Sequence, residues 1–575
     1  AIASFERALQ RRPDYAEAHN NLGVALDEQG HWDEAIASFE RALQRRPDYA
    51  EAHSNLGVVL DGLGRLEEAS ASFHRALVLQ PDIAGVHTNL GYVLKKQGRL
   101  DEAVARFQRA LELQPDSADA LVALIHQKKQ ICDWPELAPL IGRCLAMVNK
   151  GASGITPFSL LSLPSTPVQQ LKCAKQWAAK HLPVPAFAHP AAGMRAPSRL
   201  CIGYLSTDFR SHAVAYLIAQ LFELHDRSRF EVIGFSYGPD DHSDMRQRLM
   251  RAFDEFVDLR PSPHRDAARR IHDAQIDILV DLTGYTKDAR SKILAYRPAP
   301  IQVNFLGYPG TMGADFMDYL IADAFLVPPG QEQSYSEKVV TMPDCYQPND
   351  RKRAISDTPL MRDACGLPRD GFVFCCFNNN YKITPEFFDI WTRLLRDIPG
   401  SVLWLLEASP YVTENLRREV EARGVTGTRL VFAPRVPPVQ HLARFRLADL
   451  FLDTLPYGAH TTASDALWAG LPVLTCVGET FAGRVGGSLL RAAGLPELIT
   501  YSPTEYAARA LALATMQRDE LARLRMRLEQ NRLRCPLFDS ERFTRYLEQA
   551  FEHMWAHHRE GQPPESFLVT PLPTA

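Results

Sequence analysis

Along residues 1–121 the apolar positions recur at helical spacing inside a unit of 34 residues. "AIASFERALQRRPDYAEAH" occupies 1–19 and returns unchanged at 35–53, with looser copies at 69–87 and 103–121. Pro13, Pro47, Pro81 and Pro115 mark each unit, as do Gly23, Gly57, Gly91 and Gly30, Gly64, Gly98. Apolar residues three and four apart predict amphipathic helices, two per unit. Such a pair cannot bury its apolar face alone, so the pairs must stack into a superhelix with a concave surface. Residues 1–12 read as the second helix of an incomplete pair. After residue 122 the period fades, although "QICDWPELAPLIGRCLAMV" still reads as helical. "SLPSTPVQQ" and "LPVPAFAHPAAGMRAPSR" are Pro-rich and read as a connector.

From Arg199 onward the pattern changes to short apolar, β-rich runs separated by helical stretches. "RLCIGYLS", "FEVIGFSYG", "IDILVDLTGY", "IQVNFLGY" and "DYLIAD" form one series; "GFVFCCFN", "SVLWLLEA", "RLVFAP", "LFLDT" and "PVLT" form a second. Strands alternating with helices predict parallel sheets covered on both faces. The expected organisation is a helical repeat array over 1–125 and a helical, Pro-rich linker over 126–198. Two Rossmann-like, doubly wound α/β domains follow over 199–365 and 366–538, then a C-terminal helix and tail over 539–575. Ligands of such folds bind beyond the carboxyl ends of strands.

The polar residues gather at those strand ends. Asp208 and His212 follow the first strand run, and Lys287 and Arg290 follow "LVDLTGYT". Asn379 and Lys382 follow "FVFCCF", and His441 and Arg444 follow "RLVFAP". After "LFLDT" comes "GAHTTASDALWAG", which sets His460, Thr461 and Thr462 at a helix start and Asp465 one turn in. Unpaired N–H groups and the helix dipole make such a start an anion site. The plainer alternative is an ordinary Thr N-cap. Neither series opens with G-x-G-x-x-G, and no P-loop or G-x-S-x-G elbow occurs, so dinucleotide, P-loop and serine-hydrolase readings lose support. What remains is a Lys, Thr hydroxyls and a helix N-terminus, a set suited to a diphosphate leaving group held without metal. Asp240 and Asp241 read as a turn before a helix rather than as metal ligands.

Composition adds little beyond limits. A net charge of −4 gives no support to a nucleic-acid or membrane-surface partner. The ten Cys show no C-x-x-C spacing, which fits a reducing, cytoplasmic setting. No apolar run approaches the roughly 18 residues a membrane span needs.

The 34-residue units, with N-L-G, then G-x-x-x-E-A, then P-D, resemble tetratricopeptide repeats. Asn21, Asn55 and Asn89 recur at one position of the first helix, forming a possible amide ladder for an extended peptide or a mere habit of the repeat. With "GYLSTDFRSHAV", "LTGYTKDAR", "RPAPIQVNFLGYPGTMG", "FNNNYKI" and "GAHTTASDALWAGLPVLT", the chain resembles a bacterial member of the O-GlcNAc transferase family. Animal relatives carry a long insert between the catalytic halves; here only residues 347–370 separate "KVVTMPDCY" from "GFVFCCFN".

The resemblance implies a GT-B glycosyltransferase with inversion, UDP-N-acetylglucosamine as donor substrate, and Ser or Thr of proteins as acceptor. It implies neither cofactor nor metal. By motif, Lys382, Thr461 and Thr462 would hold the diphosphate beside His460, with Asn379 where animal members have Gln. Asp465 would take the ribose, and His441 and Arg444 would flank the uridine. Pro438 replaces a Lys of the animal members. Lys287 and Arg290 would line the acceptor side. A family His near the linker has no counterpart in "TPFSLL". A base near neutral pKa suits a single displacement, which favours His212 over Asp208 as the group nearest the reacting centre. Two other readings are a sugar-nucleotide enzyme for small molecules and a binding scaffold with an inactive catalytic half.

Overall fold

A computed structural model describes residues 1–189 and 198–572. Residues 190–197 of the Pro-rich connector and 573–575 of the tail lie outside the described residues. The chain divides into two compact units, Ala1–Cys144 and Leu145–Ala575.

The first unit is the repeat array. Helix Ile2–Arg11 is followed by the pairs Ala16–Asp27 with Trp32–Arg45, Ala50–Gly62 with Leu66–Leu79, and Ala84–Lys96 with Leu100–Leu113. The recurring Gly and Phe explain why the pairs close tightly. A Cβ on Gly23, Gly57 or Gly91 would stand 2.7, 2.8 or 2.5 Å from the ring of Phe39, Phe73 or Phe107. The repeated His serves the turns: Nε2 of His19, His53 and His87 meets the carbonyl of Pro13, Pro47 and Pro81 at 3.1, 3.1 and 2.9 Å. Of the three ladder Asn residues, Asn55 already donates to Asn20 of the preceding repeat at 3.0 Å. The boundary expected at residue 125 falls inside helix Ala118–Gln130, and the first unit runs on to Cys144. The sequence period is lost there, but Leu121, Leu124 and Ile125 remain buried and the packing continues.

The second unit holds two parallel sheets. The strands are β1 (Leu200–Ser206), β2 (Phe230–Ser236), β3 (Glu255–Asp258), β4 (Ile278–Asp281), β5 (Ile301–Asn304), β6 (Tyr319–Asp323) and β7 (Lys338–Met342). The second series is β8 (Val373–Cys376), β9 (Val402–Leu406), β10 (Leu430–Ala433), β11 (Leu450–Leu452), β12 (Val473–Cys476) and β13 (Ile499–Thr500), with β14 (Phe567–Leu568) near the end of the chain. The first sheet runs β14-β7-β6-β5-β4-β1-β2-β3 and the second β10-β9-β8-β11-β12-β13. Strands such as Ile278–Asp281 and Val373–Cys376 are buried throughout, as sheets covered on both faces require.

Each order reverses once, between β1 and β4 in the first sheet and between β8 and β11 in the second. Those reversal points open a crevice outside the carboxyl ends of their strands.

Helix Ser540–Arg559 leaves the second half and packs on the first. Its Glu548 accepts from His225 Nδ1 at 3.1 Å and from the Asp226 N–H at 2.8 Å, and the Tyr204 hydroxyl meets His225 Nε2 at 2.8 Å. The side chains of His225 and Glu548 are wholly buried. β14 then adds to β7 as a parallel edge strand. The tail therefore completes the first sheet, an edge pairing that no pattern in residues 539–575 marks.

Candidate functional site

Both reversal points open onto one cavity of about 870 Å³. The first half contributes Asp208 and His212 after β1 and Lys287 after β4. The second contributes Asn378 and Lys382 after β8, and His460, Thr461 and Thr462 after β11.

The β11 loop answers the question of the Thr cap. Helix Thr461–Trp468 has His460 at its N-cap, and no side chain caps it. The Thr462 hydroxyl is turned to Asn378 Oδ1 instead. Among the described residues the helix N-terminus thus keeps its N–H groups free for an anion.

Asp453 builds the loop from below. Its buried carboxylate accepts from Thr454 N at 2.7 Å, Ala459 N at 2.6 Å and Thr475 Oγ1 at 2.7 Å. Asn378 links the β8 and β11 loops by donating to Thr454 Oγ1 at 2.8 Å. Lys382 ends a short turn after β8, donates to Gly458 O at 2.8 Å, and lies 3.7 Å from the centroid of the Tyr457 ring. Burial lowers the Lys382 pKa, with the Asp453 carboxylate opposing. Burial raises Asp453, opposed by its hydrogen bonds and by Lys382.

His460 donates Nε2–H to Ala482 O at 3.1 Å, and burial together with the Lys382 cation pushes its pKa down to about 3. It is neutral at pH 7 and adds no charge to the site.

At the other end of the cavity His441 and Arg444 are bound to each other, and Arg444 also donates to Pro434 O at 2.6 Å. Arg444 lies over Phe377 at 4.5 Å and is itself buried, so it braces the helix Pro438–Arg444 that forms this wall. Burial, with Arg444 and Arg435, pushes His441 down to about 3. Pro438 takes the first turn of that helix, where a missing N–H costs nothing, and lines the cavity. Asp465 is paired with Arg353. Asn379 is exposed at the cavity edge.

Two expectations change with the structure. Arg290 does not line the cavity. Its guanidinium donates to Leu259 O at 3.0 Å and to Ser262 O, and lies over Tyr237 at 5.7 Å, so it ties the loop after β3 to the loop after β4. Only Lys287 of that pair reaches the cavity. His212 is the N-cap of helix Ala213–Leu224: its Nδ1 accepts from Val214 N at 3.3 Å. The same Nδ1 lies 3.4 Å from Asp208 Oδ1. Burial and Arg210 push His212 down to about 4, while burial pushes Asp208 up to about 6. Burial thus moves the two groups in opposite directions, His212 away from neutrality and Asp208 toward it.

Sequence reasoning passed over Asn378, Asp453, Arg353 and Phe158. The strand-end rule reaches Asp453 directly, since it closes "LFLD". Asn378 stands one place before the Asn379 that was chosen. Phe158 of "TPFSLL" lines the cavity as an apolar side chain.

The pattern of glycosyl transferase family 41 matches residues 173–357 and 354–547, which together take in the cavity walls contributed by both sheets. The chain belongs to glycosyl transferase family 41. Tetratricopeptide repeat patterns match 4–37, 25–84 and 91–124 of this family-41 chain.

The chain is 35% identical over 470 residues to a probable UDP-N-acetylglucosamine–peptide N-acetylglucosaminyltransferase SEC of Arabidopsis thaliana, covering 78% of this chain and 48% of that protein. It is 31% identical to the UDP-N-acetylglucosamine–peptide N-acetylglucosaminyltransferase of Caenorhabditis elegans, covering 64% and 41%. The family-41 chain thus spans about half the length of the curated relatives it matches, or less. A mutant O-GlcNAc transferase from Thermobaculum terrenum shares the fold at a TM-score of 0.70 and 32% identity, over 95% of this chain and 98% of that one. The repeat array followed by two parallel-sheet halves is the architecture expected from the sequence. Among the described residues no helix is long and apolar enough to cross a membrane.

Proposed function

We propose that the chain transfers N-acetylglucosamine from UDP-N-acetylglucosamine to Ser or Thr hydroxyls of proteins, with inversion and without a metal. One observation carries this reading: the cavity joins an uncapped helix N-terminus and Lys382 at one reversal point to the Asp208–His212 pair at the other. The names of the relatives supply the sugar and the acceptor class. In this scheme UDP is a leaving group. Cleavage of the glycosidic bond puts charge on its β-phosphate, and Lys382 with the N–H groups of Thr461 and Thr462 meets that charge as it develops. The acceptor hydroxyl attacks the anomeric carbon from the opposite face and gives up its proton toward the Asp208–His212 pair.

Asp208 is the stronger base of that pair and is ionised at neutral pH. His212 Nδ1 accepts from Val214 N and lies 3.4 Å from Asp208 Oδ1, so the imidazole and the carboxylate share one corner of the cavity. The repeat array would present extended acceptor segments. A scaffold with an inactive catalytic half would bind the same proteins and release no UDP.

The test is incubation with UDP-N-acetylglucosamine and a protein lysate, with and without chelator. Sugar on protein and equal UDP release in both arms are expected. Release that needs a divalent cation would remove the metal-free scheme, and release without protein labelling would favour a small-molecule acceptor.

A further inference from the structure

Residues 349–356 carry the chain from the first half to the second, and Arg353 in this stretch is fastened to the nucleotide helix twice. Its Nη1 pairs with Asp465 Oδ1, and its carbonyl accepts from Trp468 Nε1 at 3.1 Å. Its side chain is only 7% exposed and lies at the cavity, with the guanidinium carbon 6.0 Å from the centre of the Trp468 ring. Nε and Nη2 are buried without a partner among the described residues. An arginine that leaves buried N–H groups unpaired is costly to keep for packing alone. Among the described residues its one ion pair is with the Asp465 carboxylate at the cavity wall. Asp465 has its Oδ1 occupied, and no hydrogen bond reaches its Oδ2 among the described residues.

We infer that Arg353 is a positioning residue that aims the free oxygen of Asp465 at a vicinal diol, and so sets the selectivity of the site for ribonucleotides over deoxyribonucleotides. This rests on the nucleotide reading above and adds the residue that enforces it. A carboxylate with one oxygen clamped by a guanidinium has its plane fixed. The other oxygen carries two lone pairs, enough to accept both hydroxyls of a ribose. Without the clamp the carboxylate rotates or takes a proton, and it accepts less well from either hydroxyl. The crossover stretch can do this because it passes directly over helix Thr461–Trp468.

The experiment is calorimetric titration of the full chain with UDP, 2′-deoxy-UDP and 3′-deoxy-UDP. The unaltered protein should bind UDP about tenfold or more tightly than either deoxy analogue, the scale of a lost charged hydrogen bond. Arg353→Gln should weaken UDP about tenfold and each deoxy analogue, which keeps a single hydroxyl for Asp465, by clearly less, bringing the ratio toward one. Asp465→Asn should do the same, and the double variant should add little. Arg353→Lys keeps the charge without the fork and should fall between. Equal weakening of all three nucleotides by Arg353→Gln would mark a structural role and overturn the inference. So would discrimination lost in Asp465→Asn but intact in Arg353→Gln; that result would leave the nucleotide reading standing. An unaltered protein that binds no UDP would overturn both.

Discussion

Replacing Lys382 by Met is the sharpest probe of the leaving-group end. Met keeps most of the stem against Tyr457 and removes only the ammonium. In the structure that ammonium spends one of its three donors on Gly458 O at 2.8 Å, which leaves two for a ligand. It stands in a buried site between two loops, so its charge is little screened. A unit charge about 4 Å from another is worth about 4 kcal/mol at an effective dielectric near 20. Loss of a single preorganised oxyanion donor costs about 2.7–4 kcal/mol, or roughly 10²–10³ in kcat. Both routes lead to a fall in kcat of roughly 10²–10³, with weaker UDP binding. The bared Gly458 carbonyl should also cost about 1–3 kcal/mol of stability. The assay is UDP release under saturating donor, with UDP affinity by calorimetry and Tm as a control. Lys382→Met with kcat within about threefold of normal and intact UDP affinity would refute the placement of the diphosphate.

At the acceptor end, kcat/KM should rise with pH through about 6 as Asp208 loses its proton, and the acid limb should vanish in Asp208→Asn. That variant should lose roughly 10²–10⁴ in kcat while keeping UDP affinity; His212→Ala should lose less, and the reverse order would return the base to the imidazole. Replacing Asn21, Asn55 and Asn89 together by Ala should impair labelling of protein acceptors and spare UDP binding, and unchanged labelling would reduce Asn55 to its bond with Asn20. Glu548→Ala should lower stability to urea by about 3 kcal/mol, since it strips acceptors from His225 and the Asp226 N–H.

The parts of this site that sequence could reach are those fixed by short-range pattern. The repeat register was legible because Gly57 and Phe73 lie one helix apart and must meet. The strand runs and the polar residues that follow them were legible because burial on both faces leaves nearly continuous apolar runs. The choice among strand ends was not, because it depends on strand order. Arg290 and Lys287 are three residues apart in one loop, and only tertiary contacts from 259–262 pull Arg290 away. His212 was legible as a strand-end His, yet its low pKa comes from burial and from Arg210. Arg353 meets Asp465 across 112 residues, with no local pattern to mark it.

The wholly buried Glu548–His225 contact joins residues 323 positions apart. On a ribosome this separation becomes time. At about 5–20 residues per second, the wait between the two residues is roughly 15–65 s. During that interval the repeat array can fold unit by unit behind the ribosome, since each pair needs only its neighbour. The first sheet of the second unit cannot finish. Its edge strand and the helix that covers His225 have not yet been made. The half of the cavity that holds Asp208 therefore completes its packing only after the half that holds Lys382 has been synthesised.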